Sequence, residues 1–121
     1  MLVDSNIIIY AAEPGFDAIR CFVAQNKPVV SVISKVEVLG YHLLQPENKQ
    51  KLEKLFKILP VLPVSEDIID KAVTLRQQRK MSLGDSLIAA TALIYDLTLV
   101  TANVKDFFLI EGLGVLNPLE S

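Results

Sequence analysis

Val29-Val30-Ser31-Val32-Ile33-Ser34-Lys35-Val36-Glu37 is the stretch on which the fold turns. Between Pro28 and Ser34 the run is dominated by β-branched residues and is too short for a helix, so residues 29–33 read as a buried strand. Ser34 then opens a helix expected to run to about Leu44, before Gln45-Pro46. A buried strand feeding straight into a helix is the repeating unit of a parallel α/β sheet. In such sheets the sites form where strand C-termini meet helix N-termini. Glu37 falls at that edge.

The same alternation extends in both directions. Leu2-Val3 is a minimal strand followed by Asp4, and a helix over residues 7–12 is stopped by Pro14-Gly15. Residues 16–25 carry Phe16, Ile19, Phe22 and Val23 at helical spacing, and Cys21, in the same apolar stretch, is assigned to the core. Residues 47–59 place Leu52, Leu55, Phe56 and Leu59 on one stripe and leave Lys49, Lys51, Lys54 and Lys57 as a solvated face. Residues 61–64 read as extended, Ser65 caps a helix reaching about Lys80, and Ser82 caps another reaching Tyr95. Residues 97–101 are the clearest strand of the second half, 103–108 a loop or short helix, and Val115-Leu116 a closing edge. Short strands alternating with helices predict one α/β domain over residues 1–121, with a parallel sheet covered on both faces.

Composition narrows the function. A chain of 121 residues supports one core. With 51% hydrophobic and 21% charged residues it has more apolar material than a monomer of this size readily hides, which points to an oligomer or a partner surface. A net charge of -2 excludes a uniformly basic nucleic-acid binder, so any polyanion needs a local basic patch. A single cysteine allows no internal disulfide, and a reducing cytoplasmic location is the default. No run is apolar enough to suggest a membrane span, and no secretory signal is evident.

Asp4, Glu37 and Asp85 each follow a short apolar run at or beside a helix start. Each also has a purely local reading. Ser34-Lys35-Val36-Glu37 and Ser82-Leu83-Gly84-Asp85 both resemble capping boxes, and Asp4 can serve the amides of the next helix. Helix N-termini favour each ionised carboxylate by roughly 0.3–1 kcal/mol. Three such groups converging on one edge would repel one another, and a divalent cation resolves the conflict. Oxygen donors point to Mg2+ or Mn2+, because lone His42 and lone Cys21 cannot build a zinc cage.

Four blocks carry a family resemblance: residues 1–6 with Asp4, residues 32–41 with Glu37, residues 83–92 with Asp85, and Leu99-Val100-Thr101-Ala102-Asn103-Val104-Lys105-Asp106-Phe107. In this order they resemble the signature blocks of PIN-domain ribonucleases, most closely the VapC-like toxins of toxin–antitoxin pairs, over residues 1 to about 117. The resemblance implies a three-layer α/β/α sandwich, metal-dependent cleavage of single-stranded or loop RNA, a homodimer, and inhibition by a cognate antitoxin. By position it makes Asp4, Glu37 and Asp85 the acids of the site, with Asp4 and Asp85 on the metal and Thr101 the hydroxyl beside them. Many relatives carry an acid where this chain has Asn103, and Asp106 is the nearest carboxylate, so the fourth position falls to one of the two.

For the substrate, Arg76, Arg79 and Lys80 precede Ser82 and are the candidate RNA contacts; a solvated helix end is their local alternative. Tyr10 and Phe16 are candidates for stacking bases or packing an antitoxin helix, with core packing the favoured role for Phe16. Two phosphoaspartate classes fit poorly. A haloacid dehalogenase wants a second Asp where Asn6 stands, and a response-regulator receiver wants its acids elsewhere. The alternative from a different class is a PIN-like RNA-binding or scaffolding protein with a weakened metal site, which Asn103 keeps open.

Overall fold

In the computed structural model, which describes residues 1–120, five short parallel strands form one sheet: β1 (Leu2–Val3), β2 (Val29–Ser31), β3 (Val61–Leu62), β4 (Leu99–Val100) and β5 (Val115–Leu116). Their order is β3-β2-β1-β4-β5, with Leu2 opposite both Val29 and Leu99 and Val3 opposite both Val30 and Val100. The chain builds outward from β1 on one side, returns, and builds outward again on the other. Order therefore reverses between β1 and β4, and a crevice opens outside their C-terminal ends.

Strand alternation separates two cores. Val3, Val30 and Val100 face one way, against α1 (Ser5–Ala12), α2 (Asp17–Asn26) and α4 (Pro46–Ile58) through Ile7, Ile8, Ile19, Leu52 and Phe56. Leu2 and Leu99 face the other way, against α5 (Glu66–Gln78), α6 (Leu83–Ile94) and α7 (Val104–Phe107) through Ile68, Leu75, Ile88 and Phe107. The helix α3 (Val32–Leu39) contributes Val38 to the first core, and Ile33 packs against the second. The result is the expected three-layer α/β/α sandwich.

Several boundaries move from their sequence-based positions. The strand expected over residues 29–33 ends at Ser31, whose hydroxyl accepts from the Ile33 N–H at 3.1 Å and caps α3. A β-branched run can enter a helix once a cap residue satisfies the first free amides, and Ser31 is that cap. The helix ends at Leu39 with Gly40, not at Leu44, and the strand expected over 97–101 is only Leu99–Val100. Pro14-Gly15 does end α1, and Gly15 takes φ +89°, open to glycine at little cost. Cys21 is exposed, contrary to its core assignment. The buried stripe of α2 is narrow, formed by Ile19 and Val23, and neighbours in a helical sequence do not share a face.

Candidate functional site

Asp4 is the first residue past β1. Its backbone N–H donates to the Val100 carbonyl at 2.8 Å, and its carboxylate caps α1 by accepting from the Ser5 N–H at 2.7 Å. The other carboxylate oxygen accepts from the Thr101 hydroxyl at 2.8 Å and from the Asn6 amide at 3.2 Å. Asp4 is 5% exposed and Thr101 fully buried, so this pair sits in the crevice between β1 and β4. Burial pushes the Asp4 carboxyl from 3.8 up to about 6. The bonds from Thr101 and Ser5 pull it down, and the charges of Asp85 and Glu37 push it up. Capping and site membership coexist in one side chain.

Asp85 comes from the first turn of α6. Ser82 is the N-cap, its hydroxyl accepting from the Asp85 N–H at 3.1 Å, which is one half of the capping box that the sequence pattern predicts. Burial again raises the carboxyl, with Ser82 opposing and the charges of Asp106 and Glu37 adding to the rise. Asp4 feels Asp85 and Glu37, and Asp85 feels Glu37 and Asp106, so the four acids share one electric field.

Glu37 is not a capping residue. Because α3 starts at Val32, Glu37 lies well past its first turn, and its carboxylate turns instead to the Ser5 hydroxyl, 2.8 Å away. Ser5 is also 2.9 Å from the buried Ser34 hydroxyl. A Cβ at Gly84 would come within 2.4 Å of a Glu37 oxygen, so the start of α6 passes close against this carboxylate.

Beyond β4 the site opens. Asn103 is exposed, and its backbone N–H donates to the Thr101 hydroxyl at 3.0 Å. Asp106 is exposed on α7 and reaches the site through its charge on Asp85. Beside these two acids lies a cleft of about 570 Å³ lined by Arg76, Arg79, Lys80 and Lys105 as well as Asp85 and Asp106. The arginines are partly engaged. Arg79 donates to the Phe108 and Asp106 carbonyls, tying α5 to the α7 segment, and Arg76 donates to the Met81 carbonyl at 3.3 Å. Among the described residues none of these four cations is paired with a carboxylate within 4.0 Å, so this wall keeps its positive charge beside the two acids.

Among the described residues, no three His, Cys, Asp or Glu side chains close around one point as a ready metal cage. The donor set nevertheless fits Mg2+ or Mn2+. Mg2+ keeps several waters and takes one or two carboxylates directly, so it does not require such a cage. Burial chiefly, and neighbouring carboxylates in addition, disfavour the ionised forms of Asp4 and Asp85, and a divalent cation would offset both effects.

Reading the sequence missed Ser5, Ser34, Asn6, Gly84 and Lys105 as parts of this edge. Ser5 and Asn6 had a usable signal, since they directly follow Asp4 at a helix start. Ser34 and Gly84 had none, because their roles depend on how α1, α3 and α6 meet. Tyr10 and Phe16 stack on each other, ring centroids 4.5 Å apart and 10° from parallel, and pack against the first core. Elsewhere beside the site, Ile9, Tyr41, Leu43, Leu44 and Leu52 line a groove of about 240 Å³ that reaches Glu37.

The profile of the PIN domain matches residues 1–110. Ribonuclease VapC1 of Rickettsia felis is 32% identical across 96% of this chain and 94% of its own. A solved structure of a toxin–antitoxin complex from Klebsiella pneumoniae aligns with a TM-score of 0.78 at 31% identity, covering 99% of this chain and 98% of that one. The DNA-bound VapBC structure from Salmonella typhimurium aligns at TM-score 0.85 over 97% and 96% of the two chains, and at 21% identity it speaks to the fold alone.

Proposed function

The chain belongs to the PIN-domain family, and from that premise we propose that it is a metal-dependent endoribonuclease cutting single-stranded or loop RNA, and the toxin of a toxin–antitoxin pair. The observation that carries the reading is the crevice between β1 and β4, where buried Asp4 shares one electric field with Glu37 and Asp85 beside a cationic cleft. Relatives named as VapC ribonucleases and as a toxin–antitoxin complex support it.

Asp4 and Asp85 would hold Mg2+ or Mn2+, which when bound lowers the pKa of a water and offsets charge on the reacting phosphate. The Thr101 hydroxyl and the Ser5 amide fix Asp4 so that its carboxylate cannot swing away. Glu37 orients or deprotonates the attacking water. Arg76, Arg79, Lys80 and Lys105 hold the phosphates on the Asp85 side, and Asn103 is placed to bond a water or a phosphate oxygen. Asp106, exposed, completes the acidic rim through solvent. Attack by water rather than by the ribose 2′-hydroxyl leaves a 5′-phosphate and a 3′-hydroxyl.

The apolar groove that reaches Glu37 suits an amphipathic segment of the antitoxin, delivered next to the acids it must silence. Exposed Ile69 and Val73, one turn apart on α5, support pairing of two copies of the chain. In this reading the protein works in the cytoplasm with its RNA.

Incubating the purified protein with labelled single-stranded and hairpin RNA tests the proposal. Expected is cleavage in unpaired segments with Mg2+ or Mn2+ and none with EDTA. RNA retained without cleavage in any divalent metal would instead identify an RNA-binding or scaffolding protein. Copurification from the native operon and light scattering at tens of micromolar check antitoxin and dimer; a monomer with no copurifying protein removes both and leaves the nuclease.

A further inference from the structure

The contact network of Glu37 assigns a task to two residues outside the acidic set. Ser5 Oγ lies 2.8 Å from Glu37 Oε1 and 2.9 Å from Ser34 Oγ. A serine hydroxyl carries one proton and an ionised carboxylate only accepts, so the Ser5 proton points at Glu37. The contact between the serines must then use the Ser34 proton. The chain runs one way, from Ser34 through Ser5 to Glu37, and it starts at a hydroxyl with no solvent exposure. It also bridges three elements. Ser5 opens α1 from the end of β1, and Ser34 and Glu37 lie one turn apart on α3. Gly84 closes the opposite side, where a Cβ would stand 2.4 Å from Glu37 Oε2.

Glu37 itself is exposed at the end of a flexible side chain. Left free, it would sample several rotamers, and holding it in one geometry is what its part in catalysis requires. We propose that Ser5 and Ser34 are positioning residues for Glu37, a hydroxyl relay that fixes its carboxylate against the start of α6. The kinetic part of the proposal rests on the nuclease reading above. Ser5 also ties Glu37 to Asp4, because its backbone amide caps Asp4 while its hydroxyl holds Glu37. One residue thus sets the spacing of two acids, one at the end of β1 and one on α3.

The test is a cycle of variants in the full chain: Ser5→Ala, Ser5→Thr, Ser34→Ala, Glu37→Ala and Ser5→Ala/Glu37→Ala, with Thr74→Ala as a surface control. A hydrogen bond to a charged group contributes about 1.5–3 kcal/mol, so Ser5→Ala should lower kcat on single-stranded RNA by about ten- to a hundredfold and leave KM within about threefold. Ser34→Ala should cost less, about threefold, because Ser5 keeps its own proton for Glu37. Ser5→Thr, which keeps the hydroxyl, should restore most of the rate. In the Glu37→Ala background Ser5→Ala should add no further loss. Separately, the Glu37 carboxyl carbon resonance of the metal-free protein should move in Ser5→Ala and Ser34→Ala and stay in Thr74→Ala. Full kcat in Ser5→Ala, a loss confined to KM, or additive losses in the double variant would overturn the proposal. If the wild-type chain cleaves no RNA the nuclease reading falls, and the resonance still decides whether the serines hold Glu37: an unmoved signal refutes the relay.

Discussion

Asp4 and Asp106 belong to the same opening but stand in opposite surroundings. Asp4 is locked at the end of a central strand by bonds from Ser5, Asn6 and Thr101, and burial raises its pKa to about 6. Asp106 is exposed on the short helix α7 and reaches the centre only through its charge on Asp85. The β1 side of the site is built into the sheet, so its geometry is as rigid as the core beneath it. The α7 side lies at the surface, tied to the end of α5 by Arg79, and its acid faces solvent. In the proposed mechanism the enclosed side would anchor the metal and the exposed side would meet the substrate.

That contrast fails first if the anchored acids prove dispensable. Asp85→Asn and Asp4→Asn should each lower RNA cleavage by at least about a thousandfold, on the order of 4 kcal/mol of transition-state stabilisation, while the circular dichroism spectrum stays unchanged. Activity near the wild-type rate in either variant removes the metal centre from the account.

Stability should move the other way. A carboxyl raised from 3.8 to about 6 in the folded chain stabilises fully below pH 3.8, and that contribution is lost as pH rises to about 6. Above pH 6 the metal-free protein therefore carries a charged, buried Asp4 that Asp4→Asn does not. The variant should be more stable than wild type at pH 7 without metal by about 1–3 kcal/mol, and the gap should close toward pH 4. Denaturant unfolding at both pH values measures it, and a pH-independent difference would contradict the burial argument.

Asp106→Asn sharpens the comparison from the exposed side. Acting through solvent, it should cost about ten- to a hundredfold in cleavage, clearly less than Asp85→Asn. An equal loss would place Asp106 directly on the metal. The smallest effect is expected at Gly84. Alanine there must displace the Glu37 carboxylate, whose flexible end yields cheaply, and it also favours the helix. Gly84→Ala should fold at least as stably as wild type and cleave several-fold more slowly; an unchanged rate would show that Glu37 tolerates the shift.

The fold was legible because the strands announce themselves. β-Branched runs bounded by Pro28 and Pro60, and Leu2-Val3 ahead of Asp4, fixed the alternation, while the registers of β1 with β2 and β4 came only with the structure. The acids Asp4 and Asp85 were legible for the same reason, each being the carboxylate next to a strand end or helix cap. The start of α3 was not. Ser31 and Ser34 are both competent caps in a β-branched run, and only the ladder pairing of Val30 and Ser31 with Val61 and Leu62 decides where the strand stops. Placing the cap at Ser34 made Glu37 look like half of a capping box and hid the contact with Ser5, which lies 32 positions away in sequence. Lys105 was invisible for a related reason, since the cationic cleft exists only once α7 folds back beside the end of α5.

The central claim is that Asp4 and Asp85 form a divalent-metal centre that drives RNA cleavage. Titrating Mg2+ into wild type and Asp4→Asn while recording melting temperature and RNA cleavage on the same samples tests it most directly. In wild type the metal should raise the melting temperature and switch on cleavage over the same concentration range, because binding to the folded state alone stabilises it. In Asp4→Asn neither should respond. Wild-type cleavage that proceeds undiminished in EDTA, or that persists in Asp4→Asn, would contradict the account.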